Sequence, residues 1–217
     1  MGDRGVILAG PKKSGKTTLL MHLLSGGGAD YVANDRVAVA WRDGVPVLRG
    51  MPTIITLREA TASVPHQRQH VVKRGFHAWL TIDEARLRPP AWRRRAWWSV
   101  NPAQLCVALG VDRSAQAPLT TLVFPRVTGE PGAIEFKLLD PGDALERLRG
   151  ALFRARPAAP RAELLARRED EDAPAFEDVE AACERLVARV PCFAGALGRD
   201  ALMNTGDAVC ALAGLCP

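Results

Sequence analysis

The stretch GPKKSGKTT, residues 10–18, is the feature of this chain that most constrains its fold. It follows a short apolar run, RGVILAG, and it runs into KTTLLMHLLSGGG, in which leucines recur at helical spacing before a glycine cluster. This order predicts a buried strand, then a glycine-rich loop, then a helix that ends at the glycines. We therefore expect an α/β fold that begins with a strand, loop and helix.

The glycines and the lysine in this loop have the spacing of a phosphate-binding loop, Gly10-x-x-x-x-Gly15-Lys16-Thr17. Glycines let successive backbone N–H groups point inward around an anion, and the positive end of the following helix adds to the attraction. Lys16 is expected to reach the β- and γ-phosphates of a nucleotide, and the Thr17 hydroxyl is expected to bind Mg²⁺. The residues predicted to contact the nucleotide are Gly10, Pro11, Lys12, Lys13, Ser14, Gly15, Lys16, Thr17 and Thr18. The alternative is a glycine-rich turn that holds no ligand.

Composition narrows the class of protein. The chain has 217 residues, of which 47% are hydrophobic, enough for one domain with a sizeable core. We find no apolar run long enough to cross a membrane and no secretory signal, which predicts a soluble cytoplasmic protein. The five cysteines form no CxxC pair, so we expect buried thiols and neither disulfides nor zinc. A phosphate site accounts for part of the net charge of +5, which does not require a nucleic-acid partner.

The remaining patterns predict an α/β domain over residues 1–217, with a small helical region at about 175–217. RVAVAW and VPVLRG flank the turn RDG and indicate a hairpin, and MPTIITL, LTTLVFPRV and AIEFKLLD indicate further strands. Helices are indicated by NPAQLCVALGV, PGDALERLRGALF, FEDVEAACERLVARV and the stretch from about residue 200. In the first of them, Asn101 is the predicted N-cap and Gly110 is the predicted stop. PCFAGALG is interpreted as a short turn or strand, and YVAND as a strand that ends at Asp35.

Phosphoryl transfer also requires a carboxylate, either to orient a metal ion or to accept the proton of an attacking hydroxyl. LVFPRV ends in Pro-Arg, where a typical metal-binding strand ends in Asp, and Asp112 follows a predicted helix. Asp35 is the better candidate, because a strand next to the first one would bring it beside the phosphate. The alternative is that Asn34 and Asp35 only make a turn.

GPKKSGKTT followed by VANDRVAV resembles the HPr kinase/phosphorylase family, in which the phosphate loop is followed by a VADD strand. NPAQLCVALGV, APLTTLVFPRV and VARVPCF also look like segments of short members of that family. Asp35 matches the second acidic position, so the resemblance implies that Asp35 is the catalytic base. It also implies a domain like that of HPr kinase and phosphoenolpyruvate carboxykinase, with a mixed sheet and flanking helices. Thr18 stands where the family tends to carry Glu, and VLRGMPTI lacks a metal-binding Glu, so phosphorylase activity and HPr as acceptor are not expected.

Arginines are candidates for binding substrate or the transferring phosphate, because guanidinium groups bind oxyanions through two hydrogen bonds. The main candidates are Arg36 and Arg126, and Arg49 and Arg58 are further ones. The segment 86–98, RLRPPAWRRRAWW, is interpreted either as a lid over the phosphate loop or as tryptophans that pack at a core edge or an oligomer interface.

Together these features predict a Mg²⁺-dependent kinase that transfers the γ-phosphate of ATP to a hydroxyl of a peptide, a small metabolite or a carrier. Lys16 would stabilise the charge on the phosphate, and Thr17 and Asp35 are the candidate metal ligands. The alternatives are a nucleotide hydrolase and a regulatory protein that binds nucleotide without transferring phosphate. We expect neither a membrane nor a nucleic acid as partner, and the family precedent allows a homo-oligomer.

Overall fold

The computed structural model describes residues 4–51, 53–58, 97–152, 179–198 and 205–215. Within these ranges the chain is an α/β protein with a mixed sheet and flanking helices, as the sequence predicts. The strands are β1 (Gly5–Leu8), β2 (Arg36–Arg42), β3 (Val45–Met51), β4 (Ile55–Arg58), β5 (Trp97–Val100), β6 (Gln116–Val127), β7 (Ile134–Leu138) and β8 (Cys192–Leu197). The helices are α1 (Lys16–Ser25), α2 (Pro102–Leu109), α3 (Pro141–Ala151), α4 (Val179–Arg189) and α5 (Thr205–Ala213).

The long strand β6 organises the main six-stranded sheet, which runs in the order β2-β3-β6-β8-β7 with β1 also paired to β6. β1 and β8 are parallel to β6, whereas β3 is antiparallel to it. β2 and β7 pair antiparallel with β3 and β8. The sheet is therefore mixed, with parallel strands at its centre and antiparallel strands outside them.

The sheet splits where β1 and β3 meet the same edge of β6. β3 pairs with residues 116–118 of β6, and β1 pairs with residues 119–123 just beyond. Leu122 of β6 lies opposite both Ile7 of β1 and Cys192 of β8, so β1 and β8 occupy opposite edges of β6. The split leaves a gap between β1 and the β2–β3 hairpin, and the candidate site lies beside this gap.

Helices cover both faces of the sheet. On one face, Leu122 and Phe124 of β6 pack in a cluster with Leu148 of α3 and Leu186 of α4. On the other face, Val123 packs with residues of α1 and α5. The alternation along β6 thus buries both faces, which gives three layers. A third cluster joins α1 and α2 to the separate two-stranded sheet of β4 and β5.

Local sequence signals set several of these boundaries, as predicted. Helix α2 begins after Asn101, whose side chain accepts a hydrogen bond from the Gln104 amide at 2.8 Å, and it ends at Gly110 in the left-handed region. In the β2–β3 hairpin the two turn residues, Asp43 and Gly44, have φ of 50° and 77°. These values suit a turn that matches the twist of the strands.

Within 175–217 the described residues form α4, β8 and α5, so PCFAGALG, predicted as a short turn or strand, contains a strand. Two predictions need correction. YVAND is not a strand: Tyr31 makes only an isolated bridge to Arg113, and the next residues belong to no strand. Of the described cysteines, Cys210 is exposed, whereas Cys106, Cys183 and Cys192 are buried.

Part of the Trp/Arg segment, residues 86–96, lies outside the described residues. None of the described helices is long and apolar enough to cross a membrane.

Candidate functional site

The glycine-rich loop connects β1 to α1 at the carboxyl ends of the parallel strands. The Ala9 amide donates to the Val123 carbonyl at 2.8 Å, which continues the β1–β6 pairing up to the loop. Gly10 and Gly15 have φ of 143° and 98°, and Lys13 has φ of 72°. Such values are uncommon for residues with a side chain, so the glycines permit this path.

Gly15 lies where the loop meets the ends of two strands. A Cβ added to it would lie 2.8 Å from Leu197 Cδ1 of β8 and 2.9 Å from Val127 Cγ2 of β6. Gly15 is also the N-cap of α1, and no side chain caps this end of the helix. As a glycine, it offers no side-chain oxygen to the first N–H groups of α1, an arrangement that favours an anion at this end of the helix.

Lys16, the first residue of α1, folds back over the loop. Its ammonium donates to the carbonyl oxygens of Gly10 at 2.8 Å and Pro11 at 2.7 Å, and to Ser14 Oγ at 3.4 Å. Burial lowers the pKa of Lys16 from its usual value, and the negative charge of Asp35 partly opposes this shift. The loop thus fixes the ammonium in place, and Asp35 is near enough to act on it electrostatically.

The other predicted loop contacts differ in exposure. Thr17 and Thr18 lie half-buried in the first turn of α1, and Ser14 is buried. Pro11, Lys12 and Lys13 are exposed.

Tyr31 positions the segment that contains Asp35. Its side chain is only 1% exposed, and its hydroxyl donates to Asn34 Oδ1 at 2.6 Å. Thr53 donates to the same oxygen at 3.4 Å, and the backbone of Tyr31 bonds to residues 112 and 114. Burial raises the pKa of Tyr31 to about 12, so the hydroxyl keeps the proton that it donates to Asn34 up to strongly alkaline pH.

Gly50 of β3 supports the same segment from the other side. A Cβ on Gly50 would collide with the Val32 carbonyl, and the Gly50 amide donates to the Ala115 carbonyl at 3.1 Å. Asn34 is thus held by Tyr31 and Thr53, and the backbone at Val32 packs against Gly50, although this segment belongs to no strand. The sequence patterns do not predict the supporting roles of Tyr31, Thr53 and Gly50. The buried aromatic three positions before Asn34 was the one available signal for them.

Asp35 itself faces solvent. Its side chain is 64% exposed, and its Oδ2 lies 3.7 Å from Nε of Arg36, which is 45% exposed. An ion pair this open contributes little to stability, because water and salt screen both charges.

Lys16 and Asp35 line the same cavity, which has a volume of about 700 Å³. The cavity lies at the split in the sheet, between β1, α1 and the segment that leads to β2. Its walls are apolar at Leu8 and Leu20, and Lys16, Asn34 and Asp35 are among its polar lining residues, whereas loop residues 10–15 and Thr17 do not line it. An apolar wall beside a few convergent polar groups is typical of small-molecule sites.

The candidate arginines are not brought together in this cavity. Arg126 is exposed near the end of β6, directly after Pro125, whose carbonyl lies close to Gly10. Arg36 and Arg49 are exposed on the β2–β3 hairpin. None of the three lines the cavity that contains Lys16 and Asp35.

Among the described residues, no group of three or more His, Cys, Asp or Glu side chains is arranged to hold a metal ion. A hydroxyl on Thr17 and a carboxylate on Asp35 are nevertheless oxygen ligands of the kind that Mg²⁺ takes together with phosphate oxygens and water. Comparisons with protein-family models, curated proteins and solved structures give no match.

Proposed function

We propose that this protein is a Mg²⁺-dependent kinase that transfers the γ-phosphate of ATP to a hydroxyl group. The observation that carries the proposal is the shared cavity of Lys16 and Asp35. The ammonium is anchored by carbonyls of a glycine-rich loop, and the carboxylate is near enough to oppose the lowering of its pKa. A cation for phosphate and a base for a hydroxyl are the two groups that phosphoryl transfer requires.

The donor set fits a nucleoside triphosphate with its metal. The backbone N–H groups of the loop and the start of α1 would hold the phosphates, and Thr17 and Asp35 would hold Mg²⁺. ATP would supply the phosphoryl group, and Mg²⁺ would neutralise part of its charge.

The roles of the two charged residues follow from their chemistry. Asp35 would accept the proton of the acceptor hydroxyl while the oxygen of that hydroxyl forms a bond to the γ-phosphorus. The bond from that phosphorus to the bridging oxygen breaks, and ADP leaves with the bonding pair. Lys16 would stabilise negative charge on the phosphate oxygens as the bond breaks.

We propose that the fold is a domain of the HPr kinase and phosphoenolpyruvate carboxykinase type. A mixed sheet that is covered by helices and begins with a strand, a glycine-rich loop and a helix is compatible with such a domain, and the VAND stretch supports it.

One observation favours a second function, nucleotide hydrolysis. Because the Asp35 side chain is 64% exposed, water reaches the carboxylate as readily as an acceptor does. In that case Asp35 would orient water, and inorganic phosphate would be the product.

Incubation with γ-labelled ATP and Mg²⁺ distinguishes the candidates. The acceptors offered are a degenerate library of serine and threonine peptides and a mixture of small alcohols. Label on an acceptor supports the kinase, and free phosphate alone supports the hydrolase. If ATP binds and neither product forms, a non-catalytic nucleotide-binding protein is the better assignment.

Variants test the two assigned roles. Asp35→Asn should lower the transfer rate by about 10²- to 10⁴-fold, the usual contribution of a general base, and Lys16→Ala should weaken ATP binding as well. Asp43→Asn is the matched control, because Asp43 is an exposed carboxylate in the hairpin turn outside the cavity. Transfer by Asp35→Asn at the rate of the parent protein would refute the assignment of the base.

A further inference from the structure

The outer edge of β2 is an unpaired strand edge next to the candidate site, within the part of the chain that the structure describes. β2 pairs with β3 along its whole length, from Arg36 opposite Met51 to Arg42 opposite Val45. No strand within the described ranges pairs with its other edge. An edge strand of this length is a template on which an extended peptide can add as a further strand.

The backbone groups that face outward on β2 can be identified. Gly50, which lies opposite Val37, directs its amide away from β2 to the Ala115 carbonyl. In an antiparallel ladder, residues of such a pair both point their N–H and C=O groups away from each other. Val37 therefore presents its backbone groups to the outer edge, and so does Val39 two residues later. Pro46 lies opposite Trp41, where no N–H is required.

The side chains of the hairpin indicate the chemistry of the peptide. Arg36 and Arg42 share one face of β2 with two small alanines, and Arg49 lies opposite Ala38 on the same face. All three arginines are exposed, so this face is basic. Val37 and Val39, each 36% exposed, alternate with them on the other face. The complementary strand has acidic side chains on one face and apolar ones on the other.

The position of β2 connects this edge to the candidate site. Asp35 immediately precedes the strand, and Val37 lines the same cavity as Lys16. A peptide that pairs with β2 and extends beyond Arg36, the first residue of that strand, therefore reaches the cavity.

We propose that the acceptor is an acidic, extended segment of peptide that adds to the outer edge of β2 and places a serine or threonine hydroxyl beside Asp35. This inference rests on the proposed kinase activity for the hydroxyl transfer, but docking on β2 can be measured without it.

The test uses a labelled nine-residue peptide in which glutamate and valine alternate around a central serine. Its affinity for the full chain is measured by fluorescence anisotropy. Val39→Pro removes one outward N–H and leaves the pairing with β3 intact, because proline is tolerated on edge strands in this position. We expect this variant to bind the peptide about tenfold more weakly, as loss of a backbone hydrogen bond and the added ring predict.

The matched control is Leu138→Pro on β7, the strand at the opposite end of the sheet. The Leu139 amide bonds to Cys192, so the Leu138 amide points outward, and its side chain is also exposed. This variant should bind the peptide like the parent protein. A peptide N-methylated at alternate residues should lose affinity for the parent protein, which provides a test even if Val39→Pro fails to fold.

The outcomes separate the two proposals. Absence of peptide binding to the parent protein, or equal binding by Val39→Pro in its folded form, overturns docking on β2. If Val39→Pro does not fold, docking on β2 is overturned when the N-methylated peptide binds the parent protein as tightly as the unmethylated peptide does. If binding depends on the Val39 amide but labelled ATP transfers no phosphate to the peptide, docking stands and the kinase assignment fails.

Discussion

Replacing Gly15 by alanine tests the loop geometry, because the added Cβ would be disfavoured both by the backbone conformation and by close contacts with two neighbouring side chains. The residue has φ of 98°, and an added Cβ would lie 2.8 Å from Leu197 Cδ1 and 2.9 Å from Val127 Cγ2. Holding an L-residue in a left-handed conformation costs about 1–2 kcal/mol. Forcing a methyl group into a packed contact adds about 1–3 kcal/mol. The free energy of unfolding should therefore fall by about 2–5 kcal/mol.

Gly44→Ala separates the two effects. Gly44 also has a positive φ, 77°, but an added Cβ would have no atom within 4 Å. This variant should lose only the conformational part, about 1–2 kcal/mol. The difference between the two variants then measures the contact of the loop with the ends of β6 and β8.

Both variants are compared by urea denaturation with far-ultraviolet circular dichroism, and ATP affinity is measured with a fluorescent analogue. Gly15→Ala should also weaken ATP binding, since the methyl group displaces the amides at the start of α1, whereas Gly44→Ala should not. Equal destabilisation by the two variants would refute the argument that Gly15 is required by close packing at the strand ends.

Three further predictions concern Tyr31, Asp35 and Asn101. Tyr31→Phe should lower the free energy of unfolding by about 1 kcal/mol through the lost 2.6 Å bond to Asn34. Burial raises the pKa of Tyr31 from 10.0 to about 12, so the parent protein should lose stability as pH rises through that window, and Tyr31→Phe should lose less in alkaline urea titrations. Asp35→Asn removes the negative charge that raises the pKa of Lys16, so Lys16 should lose its proton at a lower pH than in the parent protein. In a titration of ATP affinity with pH, the loss of affinity should therefore begin at a lower pH in this variant. Asn101→Ala should destabilise the protein by about 1 kcal/mol in urea denaturation through loss of the α2 cap, without changing ATP affinity.

The parts of the fold that local chemistry determines were predictable from the sequence. The cap at Asn101, the stop at Gly110 and the turn at Asp43 and Gly44 each depend on a few neighbouring residues, and the structure has them as predicted. The loop between β1 and α1 is of the same kind, because its glycines and lysine lie within a few residues of one another.

The segment around Asp35 was harder to predict because distant contacts determine it. Its apolar start resembles a strand, but Tyr31 bridges to Arg113 and the Val32 carbonyl packs against Gly50, so its backbone follows these partners. The central position of β8 was missed for a different reason. CFAGAL is short and contains a glycine, which weakens the signal for a strand. Its apolar run without alternation is nevertheless the pattern expected of a strand with helices on both sides of its sheet.

The pairing of β1 with residues 119–123 has a consequence for how the protein is made. During synthesis the strand that supports the glycine-rich loop emerges more than a hundred residues before its only described partner strand. At about 5–20 residues per second, the ribosome needs roughly 6–20 s to deliver that partner. β8, which flanks the other edge of β6, emerges later still. The nascent glycine-rich loop should therefore acquire its folded shape only after β6 has been synthesised, and adding ATP should not assist its folding before then.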